Sequence, residues 1–106
     1  MGKNSHMQKL TKAEIIKGIA DKTGSDGATV HQVIDEFFEE VKDGLAQGRT
    51  VELRNFGTFE VRIRKGKAKG RNPKTGEEVA IPRHGAVAFR GGRELKTALW
   101  EITEEA

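Results

Sequence analysis

No cysteine occurs among the 106 residues. That absence excludes a disulfide scaffold, a thiolate zinc site and a cysteine nucleophile. Hydrophobic side chains are scarce at 35 %, which is low for a chain that must bury a core by itself. No apolar run approaches the ~18 residues of a membrane span. No secretory signal is evident, so the expected location is the cytoplasm, with no membrane partner. The opening Met1-Gly2-Lys3-Asn4-Ser5-His6-Met7 reads as a cloning remnant ahead of a second start. Residues 1–9 are therefore set aside, and residues 10–106 are expected to form a single domain.

Catalytic signatures are missing as well. His6, His31 and His84 stand without a second histidine at ligand spacing, and there is no His-Glu-x-x-His, so a zinc site is not expected. His31 is expected on a helix surface. The glycines of Gly70 to Gly76 lead into Glu77, not into the Lys-Ser/Thr that a phosphate-binding loop requires. Asp35, Glu36, Glu39 and Glu40 fall on the wet face of a helix, and a solvated face accounts for them. No Gly-x-Ser-x-Gly is present, and with it goes the nucleophile elbow. The expectation is a protein that is not an enzyme and that takes neither cofactor nor metal.

What the chain does have is an uneven charge. The net value is +3. Residues 1–48 carry six basic and eight acidic side chains, residues 49–96 thirteen basic and five acidic, and the last ten only Glu101, Glu104 and Glu105. A surplus of eight positive charges in one short stretch is the footprint of a polyanion partner, with a solvated basic surface as the alternative.

The first half is patterned for helices. Thr11-Lys12-Ala13-Glu14 fits a capping box, with Leu10 and Ile15 at the staple positions. Ile15, Ile16, Ile19 and Ala20 give one apolar face, and Gly24 suits the end. Asp26 is a good N-cap for a second helix. There Val30, Val33, Ile34, Phe37, Phe38, Val41 and Leu45 keep a 3.6-residue period until Gly48.

The period then changes to two. Val51 and Leu53 alternate with Glu52 and Arg54, Asn55-Phe56-Gly57 supplies a turn, and Phe59, Val61 and Ile63 alternate with Glu60, Arg62 and Arg64. Lys65 to Gly76 holds no large apolar side chain, yet alternation resumes at Val79 and Ile81 and again at Val87 and Phe89. Asn72-Pro73 initiates a turn. This predicts a long hairpin arm over about 65–81 with its tip at Arg71 to Gly76. Gly91-Gly92 breaks the last strand, and Leu95, Ala98, Leu99 and Ile102 space a short third helix.

The apolar stripe of the second helix is wider than one short helix and three strands can cover. A domain this small with a projecting arm is marginal alone. An obligate homodimer is expected, with Phe37, Phe38, Val41, Leu45, Phe56, Phe59 and Phe89 in its core. On the arm and its root, Arg62, Arg64, Lys65, Lys67, Lys69, Arg71 and Lys74 are seven basic residues within 13, with no acidic residue among them. No aromatic accompanies them on the arm, so base stacking is not on offer. Neutralisation of a phosphate backbone by a ribbon narrow enough for a groove of duplex DNA is what remains. Pro73 at the tip is either a turn former or a wedge between base pairs.

Three segments carry a family resemblance. Gly70-Arg71-Asn72-Pro73-Lys74-Thr75-Gly76-Glu77, Asn55-Phe56-Gly57-Thr58-Phe59 and Phe89-Arg90-Gly91-Gly92-Arg93-Glu94-Leu95-Lys96 resemble the signature of the HU/IHF bacterial nucleoid proteins, over about Leu10 to Leu99. The resemblance implies an α+β fold: an intertwined homodimer with a helical base, an antiparallel β-saddle and two long β-ribbon arms. It implies an architectural protein of the nucleoid that binds and bends double-stranded DNA from the minor groove, a mode known for this family. Nicked, bent or flexible DNA would be preferred. Pro73 matches the intercalating proline, and Arg71, Asn72 and Lys74 match tip residues beside the groove, with Thr75 and Gly76 in the same motif. Arg62, Arg64, Lys67 and Lys69 match backbone contacts, and Lys65 and Arg83 join them as candidates. Lys12, Arg93 and Lys96 match flank contacts to phosphate, and Gly92 opens the third helix towards an anion. Glu52 and Arg54 resemble side chains that IHF uses at preferred sites.

The family often has proline where Val87 and Gly91 stand. The acidic tail from Glu101 to Glu105 extends past its usual end. Two alternatives remain open: a site-specific bender like IHF, and a dimeric scaffold whose basic arm binds RNA or acidic proteins. A heterodimer partner is a further open point.

Overall fold

The computed structural model describes residues 8–103. The expected remnant at 1–7 and the tail residues 104–106 lie outside the described residues. Eight elements follow in order: α1 (Lys12–Thr23), α2 (Gly27–Ala46), β1 (Val51–Leu53), β2 (Gly57–Arg64), β3 (Lys67–Arg71), β4 (Glu78–Ile81), β5 (His84–Gly91) and α3 (Arg93–Leu99). The class is α+β with antiparallel strands, as expected. The chain divides into two compact units. One holds residues up to Asp43 together with those from Ala98, and the other holds Gly44–Thr97.

In the first unit, α1 starts where its cap chemistry dictates. The Thr11 hydroxyl accepts the Glu14 amide at 3.2 Å while the Glu14 carboxylate accepts the Thr11 amide at 2.9 Å, the reciprocal capping box. Gly24 ends the helix in the left-handed conformation, which costs glycine little. The Asp26 carboxylate accepts the Thr29 amide at 3.0 Å and caps α2. Packing here is thin. Ile16 and Val30 are the buried hydrophobic side chains of the described chain, at 8 % and 7 % exposure. Phe37 and Phe38 stay 42 % and 41 % exposed. In the same unit, Ile19, Val30, Val33 and Ile34 line an open apolar groove of about 240 Å³.

The second unit is built on a three-stranded sheet in the order β1-β2-β5 and a separate two-stranded sheet of β3 and β4. The β2–β5 register sorts side chains by parity. Thr58, Glu60, Arg62 and Arg64 face the sheet's polar side with Arg90, Ala88, Ala86 and His84, while Phe59 and Val61 share the other side with Phe89 and Val87. Phe89 stacks with Phe59 and Phe56 at ring separations of 4.7 and 5.4 Å. Even so, Phe89 is 43 % exposed and Ile63 61 %.

Two boundaries differ from expectation. Arg54 lies in the turn after β1 rather than on the strand. The ladder stops at Leu53 because Asn55 takes a positive φ of 69° and the Phe56 amide donates back to the Leu53 carbonyl at 2.9 Å. The third helix ends at Leu99, and Ile102 belongs to a following turn in which its amide donates to the Leu99 carbonyl at 3.0 Å.

β2 and β5 continue into β3 and β4 through the two-residue joints 65–66 and 82–83. At this joint the chains cross closely. A Cβ on Gly66 would collide with the Ile81 carbonyl and meet the backbone of Pro82 and Arg83, so only glycine fits without moving the opposite strand. Gly66→Ala should therefore loosen the arm and leave the helices intact. Amides of β3 and β4 should exchange about tenfold faster, in keeping with a steric cost of about 1–3 kcal/mol, while those of α1 and α2 should keep their rates.

Candidate nucleic-acid interface

The predicted arm exists as β3 paired with β4. Its register is irregular: Lys67 pairs Ile81, but Gly70 pairs Val79 and Arg71 pairs Glu78. Three steps on β3 match two on β4, so one extra residue is accommodated as a bulge. The bulge inverts parity along β3. Lys67 shares a face with Ile81 and Val79, whereas Arg71, four residues on, lies on the opposite face with Glu78. The basic residues of the arm are therefore distributed over both faces of the ribbon. No local composition signal in Lys67-Ala68-Lys69-Gly70 announces this.

The tip runs through Asn72, Pro73, Lys74, Thr75 and Gly76, with Pro73 and Lys74 exposed. The Asn72 side-chain oxygen accepts the Lys74 amide at 2.8 Å, and the Asn72 carbonyl accepts the Gly76 amide at 2.7 Å. This is the side-chain-assisted turn that asparagine before proline favours. Lys65, Lys67, Lys69, Lys74 and Arg83 are all exposed along the arm and its joints.

At the root of the arm, Arg62 and Arg64 extend from the polar face of β2. Arg62 is not free. Glu60, 24 % exposed, accepts from Arg62 at 3.2 Å and forms an ion pair with Arg90 at 2.9 Å. Arg90 is a functional candidate that sequence reasoning missed. Its parity with Arg62 becomes visible only once β5 is aligned with β2, and that alignment crosses the whole arm. Arg54 is exposed in the β1–β2 turn. Arg93 and Lys96 are exposed on α3. Gly92 does not offer its own amide to an anion, because that amide donates to the Phe56 carbonyl at 2.9 Å. It ties the β1–β2 turn to the start of α3.

Lys12 belongs to the other unit, where it begins α1. Its ammonium contacts Asp35 at 2.7 Å, and His31, on the exposed surface of α2, contacts the other Asp35 oxygen at 3.1 Å. Lys12, like Arg62, already has an anionic partner that a phosphate would have to replace. The Lys12 hydrogen bond is the main cause that holds the Asp35 carboxyl below its ordinary value of 3.8; desolvation opposes it as the next largest effect, and the His31 and Lys12 charges add smaller downward contributions.

Comparison with known proteins bears on this arrangement. A family model described as "Bacterial DNA-binding protein" matches residues 10–99. Integration host factor subunit alpha from Xylella fastidiosa (strain 9a5c) is 44 % identical over 87 residues, which cover 82 % of this chain and 87 % of that protein. A cocrystal structure of Anabaena HU with DNA is similar with a TM-score of 0.74 at 30 % identity, covering 88 % of this chain and 100 % of that one. HU from Thermotoga maritima shares the fold with a TM-score of 0.61 at 24 % identity, over 85 % of this chain and 98 % of that one.

The Asp35 cluster sets an acid dependence of stability. A carboxyl whose folded value is depressed stabilises the fold above its unfolded value, and that contribution disappears as pH falls through the folded one. Asp35→Asn should lower the thermal midpoint at neutral pH, and parent and variant should converge below pH 3.8 as the parent loses the pair. Thermal unfolding followed against pH checks this.

Proposed function

This chain belongs to the HU/IHF family of bacterial DNA-binding proteins, which act by binding rather than by catalysis, and on that premise we propose that it is a dimeric DNA-bending protein of the nucleoid. The observation that carries the reading is the arm: a two-stranded ribbon with exposed Lys65, Lys67, Lys69, Lys74 and Arg83, ending in an exposed proline. The cations neutralise phosphates along the duplex. Arg62, Arg64 and Arg90 extend the same surface onto the sheet, and Arg93 and Lys96 onto α3. Pro73, apolar and without a donor, adds no Coulomb attraction. Its role is to enter a base step from the minor groove, as is known for this family. Unstacking a step costs on the order of a few kcal/mol, recovered when the curved DNA meets more cationic surface. Nicks and flexible steps lower that cost.

Dimerisation is supported by what the chain leaves uncovered. The apolar side of the sheet exposes Val61, Ile63, Val87 and Phe89, and α2 exposes Val33, Phe37 and Phe38. Side chains of this kind stabilise a fold by ~1.5–3 kcal/mol each only when buried. A second copy of the chain supplies the missing cover. The partner could also be a different chain, a second reading favoured by relatives that are named as one subunit, alpha. No described helix is long and apolar enough to cross a membrane; the family likeness is what supports a place at the cytoplasmic nucleoid. Arg54, set in the β1–β2 turn, is the candidate for site preference; selection from random duplexes tests it, and a recovered motif should vanish in Arg54→Ala.

Three outcomes are expected. Sedimentation of the chain alone at low micromolar concentration should give twice the chain mass, and a compact, cooperatively unfolding monomer would count against the homodimer. Affinity for duplex DNA should fall steeply with salt. Lys67→Ala should flatten the plot of log K against log salt by about one unit per lost contact while weakening all sequences alike. Pro73→Ala should keep salt-dependent binding to linear duplex but lose bend angle, read by end-to-end energy transfer. Binding that ignores duplex DNA in favour of RNA or acidic protein would point to the scaffold reading.

A further inference from the structure

The last rung of the β2–β5 ladder pairs Arg64 with His84. It lies at the root of the arm, one joint away from β3 and β4. Parity puts both side chains on the polar side of the sheet with Arg62, and both are exposed. Directly opposed residues on antiparallel strands hold their Cβ atoms about 4.5–5.5 Å apart, so an anion that reaches Arg64 is within reach of His84. The ring is oriented by its own joint, with Nδ1 at 2.8 Å from the Pro82 carbonyl. A carbonyl only accepts, so Nδ1 carries the proton of that hydrogen bond. Nε2 is left as the free ring nitrogen, an acceptor in the neutral ring and a second donor once protonated.

The charged groups around this rung are all basic. Arg64 faces His84 across the ladder, Arg62 stands at the next same-side position of β2, and Lys65 and Arg83 flank the rung in the two joints. β5 is an edge strand of its sheet, so no further strand of that sheet packs against it. Among the described residues no carboxylate lies within ion-pair distance of His84, and Glu60, on the same side, is taken by Arg62 and Arg90.

We propose that His84 is a proton-gated phosphate contact at the root of the arm: the duplex backbone that Arg64 neutralises also meets Nε2, and binding draws a proton from solvent onto the ring. The inference rests on the duplex-binding reading given above and adds a residue to it. The ring has no anionic partner of its own. A phosphate supplies one, and a neighbouring anion favours the charged form of an imidazole. Nε2–H then donates to a phosphate oxygen in a charge-assisted hydrogen bond. Linkage fixes the sign. The complex holds the protonated ring more tightly than the free protein does, so affinity is greatest at acid pH and falls as pH rises through the range where imidazole loses its proton. Each arm of the proposed dimer carries one such ring. A lysine or arginine here would hold phosphate at every pH, whereas histidine makes the grip of the root depend on it.

Affinity of the full chain for one linear duplex is measured from about pH 8 to about pH 5.5, a window that spans ordinary imidazole titration, across a salt series. Asp35, held below its ordinary value, stays ionised throughout. The parent should bind about fivefold tighter at the acid end, the scale of two exposed ion pairs, with a salt slope steeper by about 0.9 per ring. His84→Gln should lose both gains. His84→Lys should show the acid-end affinity and slope at every pH, which separates loss of charge from damage to the joint. His31→Gln should keep the parent's response. Calorimetry near neutral pH, in two buffers of different ionisation heat, should show proton uptake on binding by the parent and none by His84→Gln. A pH response that survives in His84→Gln, or that disappears in His31→Gln instead, would overturn the proposal. So would a parent whose affinity ignores pH and that takes up no proton. A parent that fails to bind duplex DNA at any pH would instead refute the reading beneath it, so the two failures are distinct.

Discussion

The pairing of β2 with β5 is the interaction on which the second unit depends. Eight consecutive pairs, from Gly57–Gly91 to Arg64–His84, do two things at once. They sort Glu60, Arg62, Arg64 and Arg90 onto one side of the sheet and Phe59, Val61, Val87 and Phe89 onto the other. They also bring residues 64 and 84 level, so the chain between them has to leave as a hairpin. A slip of one residue would turn every charged side chain to the apolar face. At the other end the ladder closes on the Phe56 turn and on Gly92, whose amide is held by the Phe56 carbonyl. The same ladder therefore positions the arm at one end and α3 at the other.

Beyond the joint, burial no longer holds the ribbon in shape. Val79 and Ile81 are only half-buried, and the side chain of Ile81 lies over Gly70. The arm is shaped instead by backbone crowding at Gly66, by the bulge, and by hydrogen bonds at the tip. These are short-range devices suited to an element that projects into solvent and, as proposed, meets a polyanion. The arm's cations are mostly lysines, strongly hydrated point charges that fit phosphate without fixed geometry. Arginine is kept where geometry matters, at Arg71 on the Gly76 carbonyl and at Arg62 and Arg90 on Glu60.

Two facts link the apolar side to function. The described chain buries only Ile16 and Val30 among its hydrophobic side chains, while both units leave large apolar groups uncovered. The proposed dimer resolves that deficit and supplies two arms in place of one. A bender with a single arm could insert one wedge; two arms can hold a curved duplex from both sides. On that proposal, the shortage of core makes pairing necessary, and pairing makes bending productive.

Much of this was legible in the residues alone. The capping box at Thr11, the caps at Gly24 and Asp26, the period of α2, the switch to alternation at Val51 and the turn at Asn72-Pro73 all act between neighbours in the chain. The seven basic residues from Arg62 to Lys74, and the HU/IHF resemblance of the Arg-Asn-Pro-x-Thr-Gly tip, point to duplex DNA from the sequence alone. What the tertiary structure decided involves partners far apart in sequence, or a register no single strand contains. Arg90 joins Arg62 through Glu60 because β5 returns beside β2. Lys12 meets Asp35 because α2 folds back along α1. Arg71 and Lys67 part company because β4 admits a bulge in β3, and Gly66 is required because Ile81 and Pro82 pass over it. Arg54 left its strand and α3 stopped at Leu99 for the same kind of reason: hydrogen bonds at an element's end, not its periodicity, set where it stops. Periodicity and capping are encoded within a few residues, whereas the freedom of a charge and the room for a Cβ are properties of what the fold brings alongside.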